Sequence, residues 1–187
     1  MDQTQRKPQK PVPTVEHVTE HFSEADLNDL CDATDAAIEG GGGFGWVNLP
    51  SREILERYWQ GVITAPTREL FVARLDHVIC GTVQVVVPAK NNEAQAHMLT
   101  LTTNFVAPWA RGHGLARTLL ETVEEWAMKE GFSVINLDVR ETMDAAIALY
   151  ETLGYEKLGV HPYAVKLDDK AVKSVYYYKL INSDIFK

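Results

Sequence analysis

The sequence of 187 residues has few cysteines, no long hydrophobic run and no basic cluster beyond its first ten residues. Its two cysteines, Cys31 and Cys80, lie far apart in apolar surroundings, which favours buried thiols in a reducing compartment over a disulfide or a metal site. No apolar stretch approaches about 18 residues and no secretory leader is evident, so we expect a cytoplasmic protein with no membrane partner. A net charge of −8 argues against nucleic acid as a partner.

The composition is that of an ordinary globular protein, with 45% hydrophobic and 24% charged residues. A chain of this length can bury a substantial core as one domain. Residues 1–13 are polar and interrupted by prolines, which is typical of a disordered tail. We therefore expect a tail over 1–13 and a single domain over 14–187.

Apolar periodicity predicts an α/β chain with a mixed sheet. A first strand (15–19) is followed by two helices, which start near Ser23 and Ser51, and then by strands at 70–73, 78–87 and 96–106. A long helix after Gly114, a strand at 134–139, a helix at 143–153 and strands at 155–165 and 172–181 complete the order. The strand–helix–strand unit between 96 and 139 is expected to be a right-handed parallel crossover, buried on both faces.

The segment Arg111-Gly-His-Gly114 joins a predicted strand to the long helix. Gly112 and Gly114 permit positive φ angles and a close approach of the backbone to a ligand. The first N–H groups of a helix lack partners within the helix, and its dipole favours negative charge there. The segment is therefore predicted to bind an anion, most simply a phosphate or pyrophosphate.

Two common phosphate motifs fit this segment poorly. A Walker loop needs four residues between its glycines and then Lys-Ser/Thr, and that spacing is absent. A dinucleotide fingerprint is closer, because Gly112 and Gly114 follow a strand and Asp138 ends the next one. However, Arg117 occupies the third glycine position, where a small residue is needed, and the motif lies mid-chain after three antiparallel strands.

A third motif fits better. Arg111-x-x-Gly114-x-Ala116 resembles the Q/R-x-x-G-x-G/A signature of the GNAT acetyltransferase superfamily, which binds the pyrophosphate of acetyl-CoA. The order and spacing of Val106-x-Pro108, Leu137–Arg140 and Ala145–Tyr155 are also similar, and the resemblance covers about residues 15–181. It implies an α/β fold with a mixed, mostly antiparallel sheet of six to seven strands, splayed central parallel strands and about four flanking helices.

A narrower resemblance links the chain to small-molecule acetyltransferases of the tabtoxin-resistance type. It is carried by three segments: Gly41–Trp46, His161–Ala164 and Tyr177–Leu180.

The superfamily resemblance also implies a site for acetyl-CoA as co-substrate, without a metal. The backbone of Asn104, Phe105 and Val106 would hold the pantetheine arm, with one N–H stabilising the thioester oxyanion. The turn and first helical residues would hold the pyrophosphate: Arg111, Gly112, His113, Gly114, Leu115, Ala116 and Arg117. The two arginines could instead solvate the first turn of the helix, and the His113 side chain is expected to face solvent.

Tyr150 lies on the apolar stripe of its helix, so spacing alone predicts a core residue. The resemblance implies that it reaches the thioester sulfur, where a phenol can act as general acid.

The general base is less defined. Relatives of the tabtoxin-resistance type carry a glutamate at the position of Thr100, and threonine cannot replace it. Asp138 is the first candidate to deprotonate or orient the amine, His97 is the second, and a water relay is a third possibility. Met143 also departs from the family, since many relatives have an asparagine there that contacts the cofactor.

The glycine-rich segment Gly40–Trp46 is either a surface connection or a hinged loop that places Phe44 and Trp46 over a substrate. Together these features predict a monomeric or homodimeric N-acetyltransferase that acts on the primary amine of a small molecule. Two alternatives are a protein or peptide acetyltransferase and a catalytically silent acyl-CoA-binding domain, the latter because the glutamate is missing.

Overall fold

The computed structural model describes residues 10–42 and 45–186, and its single sheet has the strand order β1-β2-β3-β4-β5-β7-β6. The strands are β1 (Pro13–Val18), β2 (Arg68–Leu75), β3 (Val78–Val86), β4 (Met98–Val106), β5 (Val134–Arg140), β6 (Glu156–Leu167) and β7 (Lys170–Leu180). The helices are α1 (Glu24–Glu39), α2 (Arg52–Thr64), α3 (Leu115–Lys129) and α4 (Asp144–Thr152). The predicted order of elements is confirmed.

All neighbouring strands pair antiparallel except β4 and β5, which are parallel. Their ladder has only three pairs, from Met98–Val134 to Thr100–Asn136, although both strands continue beyond it. The two central strands therefore diverge towards their carboxyl ends. This confirms the predicted mixed, mostly antiparallel sheet of six to seven strands with a splayed parallel pair, and the number observed is seven.

Local sequence signals explain where the helices begin and end. The hydroxyl oxygen of Ser23 accepts a hydrogen bond from the Asp26 N–H at 3.1 Å, so this serine caps α1. Gly40 ends the same helix, and Gly131 follows α3 with a φ of +88°, a left-handed conformation that suits glycine.

The sheet lies between two apolar clusters. One contains α3 residues such as Leu119 and Val123, with Tyr150 of α4, and the other contains Leu30, Leu55 and other residues of α1 and α2. Cys31 and Cys80 are buried free thiols, and burial raises the pKa of both to about 11. The interpretation of the cysteines as small buried side chains is confirmed.

The expectation that β5 is buried on both faces is wrong. Ile135, Leu137 and Val139 are buried against α3 and α4, but Asp138 between them is exposed. The opposite face of this strand is open because α1 and α2 cover other strands, with α1 against β3 and α2 against β2.

Two further expectations concern the ends and the environment of the chain. β1 begins at Pro13, the last residue of the predicted tail, and residues 1–9 lie outside the described part of the structure. No helix in the described ranges has the length and apolar character needed to cross a bilayer.

Candidate active site

The divergence of β4 from β5 opens a cavity of about 420 Å³, which we call the central cavity. Its walls are Leu101–Asn104 of β4, Leu137–Arg140 of β5, and Met143, Ala146 and Tyr150 around α4. Gly42, Gly45 and Val47 of the α1–α2 loop and Ala164–Lys166 of β6 also contribute. Most predicted catalytic and cofactor-binding residues of β4, β5 and α4 therefore meet around one space.

A β-bulge shapes the wall formed by β4. Thr82 is opposite Phe105 and Gln84 is opposite Thr102, so two residues, Thr103 and Asn104, lie opposite one residue of β3. Thr103 has a φ of +49°, which is rare for a β-branched residue. The hydroxyl of the fully buried Thr82 donates to the Thr103 carbonyl at 2.9 Å and so holds the bulge.

The bulge determines which face of the sheet receives each side chain. In an uninterrupted strand, Asn104 would point to the same face as Thr102. The extra residue reverses this alternation, so Phe105 packs with α1 and α2 while Asn104 faces α4.

Asn104 and Tyr150 are joined by a hydrogen bond across this gap. The Asn104 side-chain amide donates to the Tyr150 hydroxyl oxygen at 2.9 Å, and Tyr150 is only 5% exposed. Burial raises the pKa of Tyr150; the Asn104 bond lowers it in part, and the Asp138 carboxylate raises it further. The phenol is therefore protonated at neutral pH, and it accepts from Asn104 without using its own O–H.

The glycine turn before α3 presents a row of backbone donors. Gly112 and Gly114 have φ angles of +83° and +78°, and a Cβ at either position would meet nothing within 4 Å, so conformation rather than crowding requires glycine. The N–H of Thr118 donates to the Gly114 carbonyl at 3.1 Å, whereas no backbone acceptor among the described residues receives the N–H groups of residues 112–117. This is the geometry of an anion site.

The charged side chains of the turn are exposed. Arg111 Nε donates to the Val106 carbonyl at 3.2 Å, which ties the turn to the end of β4. Arg117 lies 3.5 Å from Glu121, and His113 is exposed with its Nδ1 3.1 Å from the Ala110 carbonyl oxygen. Both arginines therefore place positive charge close to the turn, where it favours an anion.

The candidate bases occupy different places. Asp138 is exposed on the face of β5 that points away from α4 and Tyr150, and it lines the central cavity. His97 precedes β4 and packs edge-on against Phe186, with ring centroids 5.5 Å apart. Thr100 is in the last β4–β5 pair, two residues before Asp138 in register. Of these three residues, only Asp138 lines the central cavity, and its role as the base stays a prediction.

The structure describes only one of the two aromatic residues that were predicted to cover a substrate. Phe44 lies outside the described residues. Trp46 packs edge-on against Tyr58 of α2, with ring centroids 4.7 Å apart, while its neighbours Gly45 and Val47 line the central cavity. A substrate contact by Trp46 stays a prediction.

This arrangement agrees with comparisons to known proteins. The family model described as the acetyltransferase (GNAT) family matches residues 35–155. The chain belongs to the GNAT acetyltransferase family. It is 64% identical over 129 residues to an uncharacterized N-acetyltransferase of the hisH–hisA intergenic region of Azospirillum brasilense, covering 69% of this chain and 76% of that protein. The chain is accordingly an acyltransferase.

Solved structures show the same GNAT fold at low sequence identity. An N-acetyltransferase from Staphylococcus aureus Mu50 superposes with a TM-score of 0.76 at 15% identity, over 91% of this chain and 99% of that chain. The yncA protein of Salmonella typhimurium, determined with its cofactor acetyl-CoA, gives a TM-score of 0.72 at 14% identity, over 91% and 94% of the two chains.

Two polar residues of this GNAT site were missed by sequence reasoning. Thr82 lies within a β-prone run, and nothing in that run indicates that its hydroxyl reaches the bulge of the next strand. Ser174 lines the central cavity, is 1% exposed, and its hydroxyl has no hydrogen-bond partner among the described residues. The described ranges contain no group of three or more His, Cys, Asp or Glu side chains placed to bind a metal ion.

Proposed function

We propose that this acyltransferase moves an acetyl group from acetyl-CoA to the primary amine of a small molecule. The observation that carries the proposal is the row of N–H groups at the start of α3 that no backbone acceptor in the described part of the chain receives. This row follows the same strand, β4, that lines the cavity containing Tyr150. A diphosphate held at the turn would leave the rest of the donor free to run along β4 into the cavity.

The chain has groups that could bind each part of acetyl-CoA. The backbone N–H groups of residues 112–116 would hold the diphosphate, aided by the dipole of the 15-residue helix α3. Arg111 and Arg117 are close enough along the chain to add charge. The edge of β4 beyond Thr100 is not paired with β5, so residues on either side of Phe105, namely Asn104 and Val106, can present main-chain groups to the pantetheine arm.

The chemistry requires three tasks from the protein. When bound, acetyl-CoA supplies an acyl group activated as a thioester. Asp138 would attract the acceptor ammonium and take up its proton, while a backbone N–H near Phe105 would stabilise the negative charge that develops on the carbonyl oxygen. Tyr150 would donate its phenolic proton to the departing sulfur, so that CoA leaves as a thiol, and the phenolate would take up the proton that the nitrogen still has to lose after attack.

A small acceptor is supported by the walls of the central cavity, into which its amino group must reach to meet the thioester. The α1–α2 loop contributes Gly45 and Val47, and β6 contributes Val165 and Lys166. Segments on two sides leave less room for a polypeptide than an open groove would. The narrower resemblance to small-molecule acetyltransferases of the tabtoxin-resistance type involves the same loop and hairpin.

Thiol release from acetyl-CoA, measured over a panel of primary amines and N-terminal peptides, tests the proposal. We expect turnover with small amines and little with peptides. Turnover with peptides alone would favour a protein acetyltransferase. If acetyl-CoA binds in calorimetry and no acceptor is turned over, the chain is a binding domain.

The anion site can be tested with a matched pair of substitutions, Gly114→Asn and Gly114→Asp. Both side chains tolerate positive φ better than most, so both should cost about 1 kcal/mol of stability relative to glycine. Only aspartate places a negative charge at the turn. Calorimetry should show acetyl-CoA binding at least tenfold weaker for Gly114→Asp than for Gly114→Asn. Equal affinities would show that the diphosphate is not bound at this turn.

A further inference from the structure

A second cavity adjoins the central one on the face of the sheet opposite α3 and α4. It also has a volume of about 420 Å³, and the two cavities share Leu137 and Asp138 as wall residues. We call it the side cavity. Its other walls come from the end of β3 and the segment after it, the start of β4, and the outer strands β6 and β7.

The side cavity is mainly apolar. Val86, Pro88, Met98, Leu158 and Tyr176 are among its wall residues. Leu158 is 69% exposed and Tyr176 is 38% exposed, so apolar surface is available there to a bound molecule. Burying such surface stabilises a complex by about 25 cal/mol per Å².

The two cavities differ in the charged residues of their walls. Asp138 is the one charged residue among the side-cavity walls that the structure describes, whereas Arg140 and Lys166 line the central cavity. A carboxylate with no basic neighbour in the same wall favours a cation and disfavours an anion. Asp138 sits where the cavities meet, and its charge raises the pKa of Tyr150 on the other side of the gap.

Thr100 makes the side cavity roomy next to Asp138. It lines this cavity, is exposed, and pairs with Asn136, two residues before the carboxylate. A longer side chain at this position would fill the space beside Asp138, and an acidic one would add a second negative charge.

Resting on the acetyl transfer proposed above, we infer that the side cavity holds the body of the acceptor. The acceptor class is a primary amine on an apolar, uncharged body, such as an arylalkylamine or alkylamine, without a carboxylate. Its ammonium group meets Asp138 at the junction, where loss of the proton to this carboxylate leaves the amine facing the central cavity. Its apolar body lies between Met98, Leu158 and Tyr176.

The test compares four acceptors in acetyl-CoA thiol release: 2-phenylethylamine, hexylamine, ethanolamine and phenylalanine. We expect kcat/KM for 2-phenylethylamine and hexylamine to exceed that for ethanolamine at least tenfold, because ethanolamine lacks the apolar body. Phenylalanine should also be at least tenfold poorer than 2-phenylethylamine, since its carboxylate would lie beside Asp138.

Substitutions test whether the preference for apolar amines arises in the side cavity. Thr100→Phe should raise the KM for 2-phenylethylamine about tenfold and change that for ethanolamine less than threefold. Leu158→Ser, at an exposed position that tolerates replacement, should reduce the preference for the apolar amine. Leu180→Ser is the matched control, because Leu180 is an exposed leucine (46%) of β7 outside both sets of wall residues.

The possible failures are distinguishable. If amines are acetylated but ethanolamine or phenylalanine equals 2-phenylethylamine, or if Leu158→Ser and Leu180→Ser behave alike, the side cavity is not the acceptor site and the proposed function stands. If no amine releases thiol, the proposed function fails. The cavity is then judged by calorimetry with 2-phenylethylamine alone, and lack of binding, or binding unaltered by Thr100→Phe, overturns the inference.

Discussion

Tyr150 shows how one residue can belong to the core and to the site at once. Its ring packs 5.6 Å from that of Tyr155 within the cluster under α3 and α4, as its helical spacing predicts. Tyr150 nevertheless also lines the central cavity, and its hydroxyl accepts a hydrogen bond from Asn104. The sequence could predict the position of the ring. It could not predict the partner, because Asn104 reaches Tyr150 only through the bulge in β4.

At this scale, Tyr150→Phe should separate chemistry from binding. Removing the proton donor should lower kcat by roughly a hundredfold, while the KM for acetyl-CoA changes less than about threefold. Thiol release under saturating acceptor measures both quantities. Tyr155→Phe is the matched control, because it removes a hydroxyl from the same aromatic cluster. Equal losses in the two variants would make the Tyr150 effect structural, and an unchanged kcat would end its role as general acid.

The raised pKa of Tyr150 also predicts the alkaline side of the pH profile. A proton donor loses activity as the pH rises through its pKa, and the pKa of Tyr150 lies above the usual value of about 10 because the phenol is buried. We therefore expect kcat to show no decline between pH 7 and about 9.5. A falling limb in this range that disappears in Tyr150→Phe would contradict the protonated state described here.

At the scale of elements, the sequence predicts the helices and strands better than it predicts their irregularities. Pro108 ends the predicted strand and Gly114 precedes the helix, so the sequence predicts where α3 starts. The connection from β4 through α3 to β5 joins parallel strands, as expected. The bulge at Thr103 carries no such signal, because neither glycine nor proline marks it. The exposed face of β5 was missed for a related reason: which face a helix covers depends on packing across the whole sheet.

The bulge can be tested through Thr82→Val, a nearly isosteric change. Loss of the hydroxyl leaves the Thr103 carbonyl without this buried donor, so we expect a destabilisation of about 1–2 kcal/mol in chemical denaturation. Relaxation of the bulge should also misplace Asn104 and lower kcat more than a stability change alone would. Thr64→Val, at the exposed end of α2, is the control. A stable Thr82→Val enzyme with normal kcat would show that the bulge does not need this bond.

At the scale of the whole molecule, the weakest point of the sheet coincides with the site. β4 and β5 share three residue pairs, whereas each antiparallel neighbour pair shares five or more. The two apolar clusters lie on opposite faces of this divided sheet. Acetyl-CoA bound along β4, with its diphosphate at the start of α3, would therefore add contacts where the protein has fewest of its own. Neither cavity is visible in the sequence, because each is built from segments far apart in the chain.

This placement predicts how the whole fold responds to acetyl-CoA. A ligand at a hundredfold excess over its Kd stabilises the folded state by about 2.7 kcal/mol. For a chain of this size, each 1 kcal/mol raises Tm by about 2–4 °C, so calorimetry should show one unfolding transition that shifts upward by about 5–10 °C. Since both clusters pack on the same sheet, they should unfold together. Under the same acetyl-CoA concentration, Gly114→Asp should lose most of the shift and Gly114→Asn should retain it. Two separate transitions, or equal shifts in both variants, would contradict a single cooperative unit held at the α3 turn.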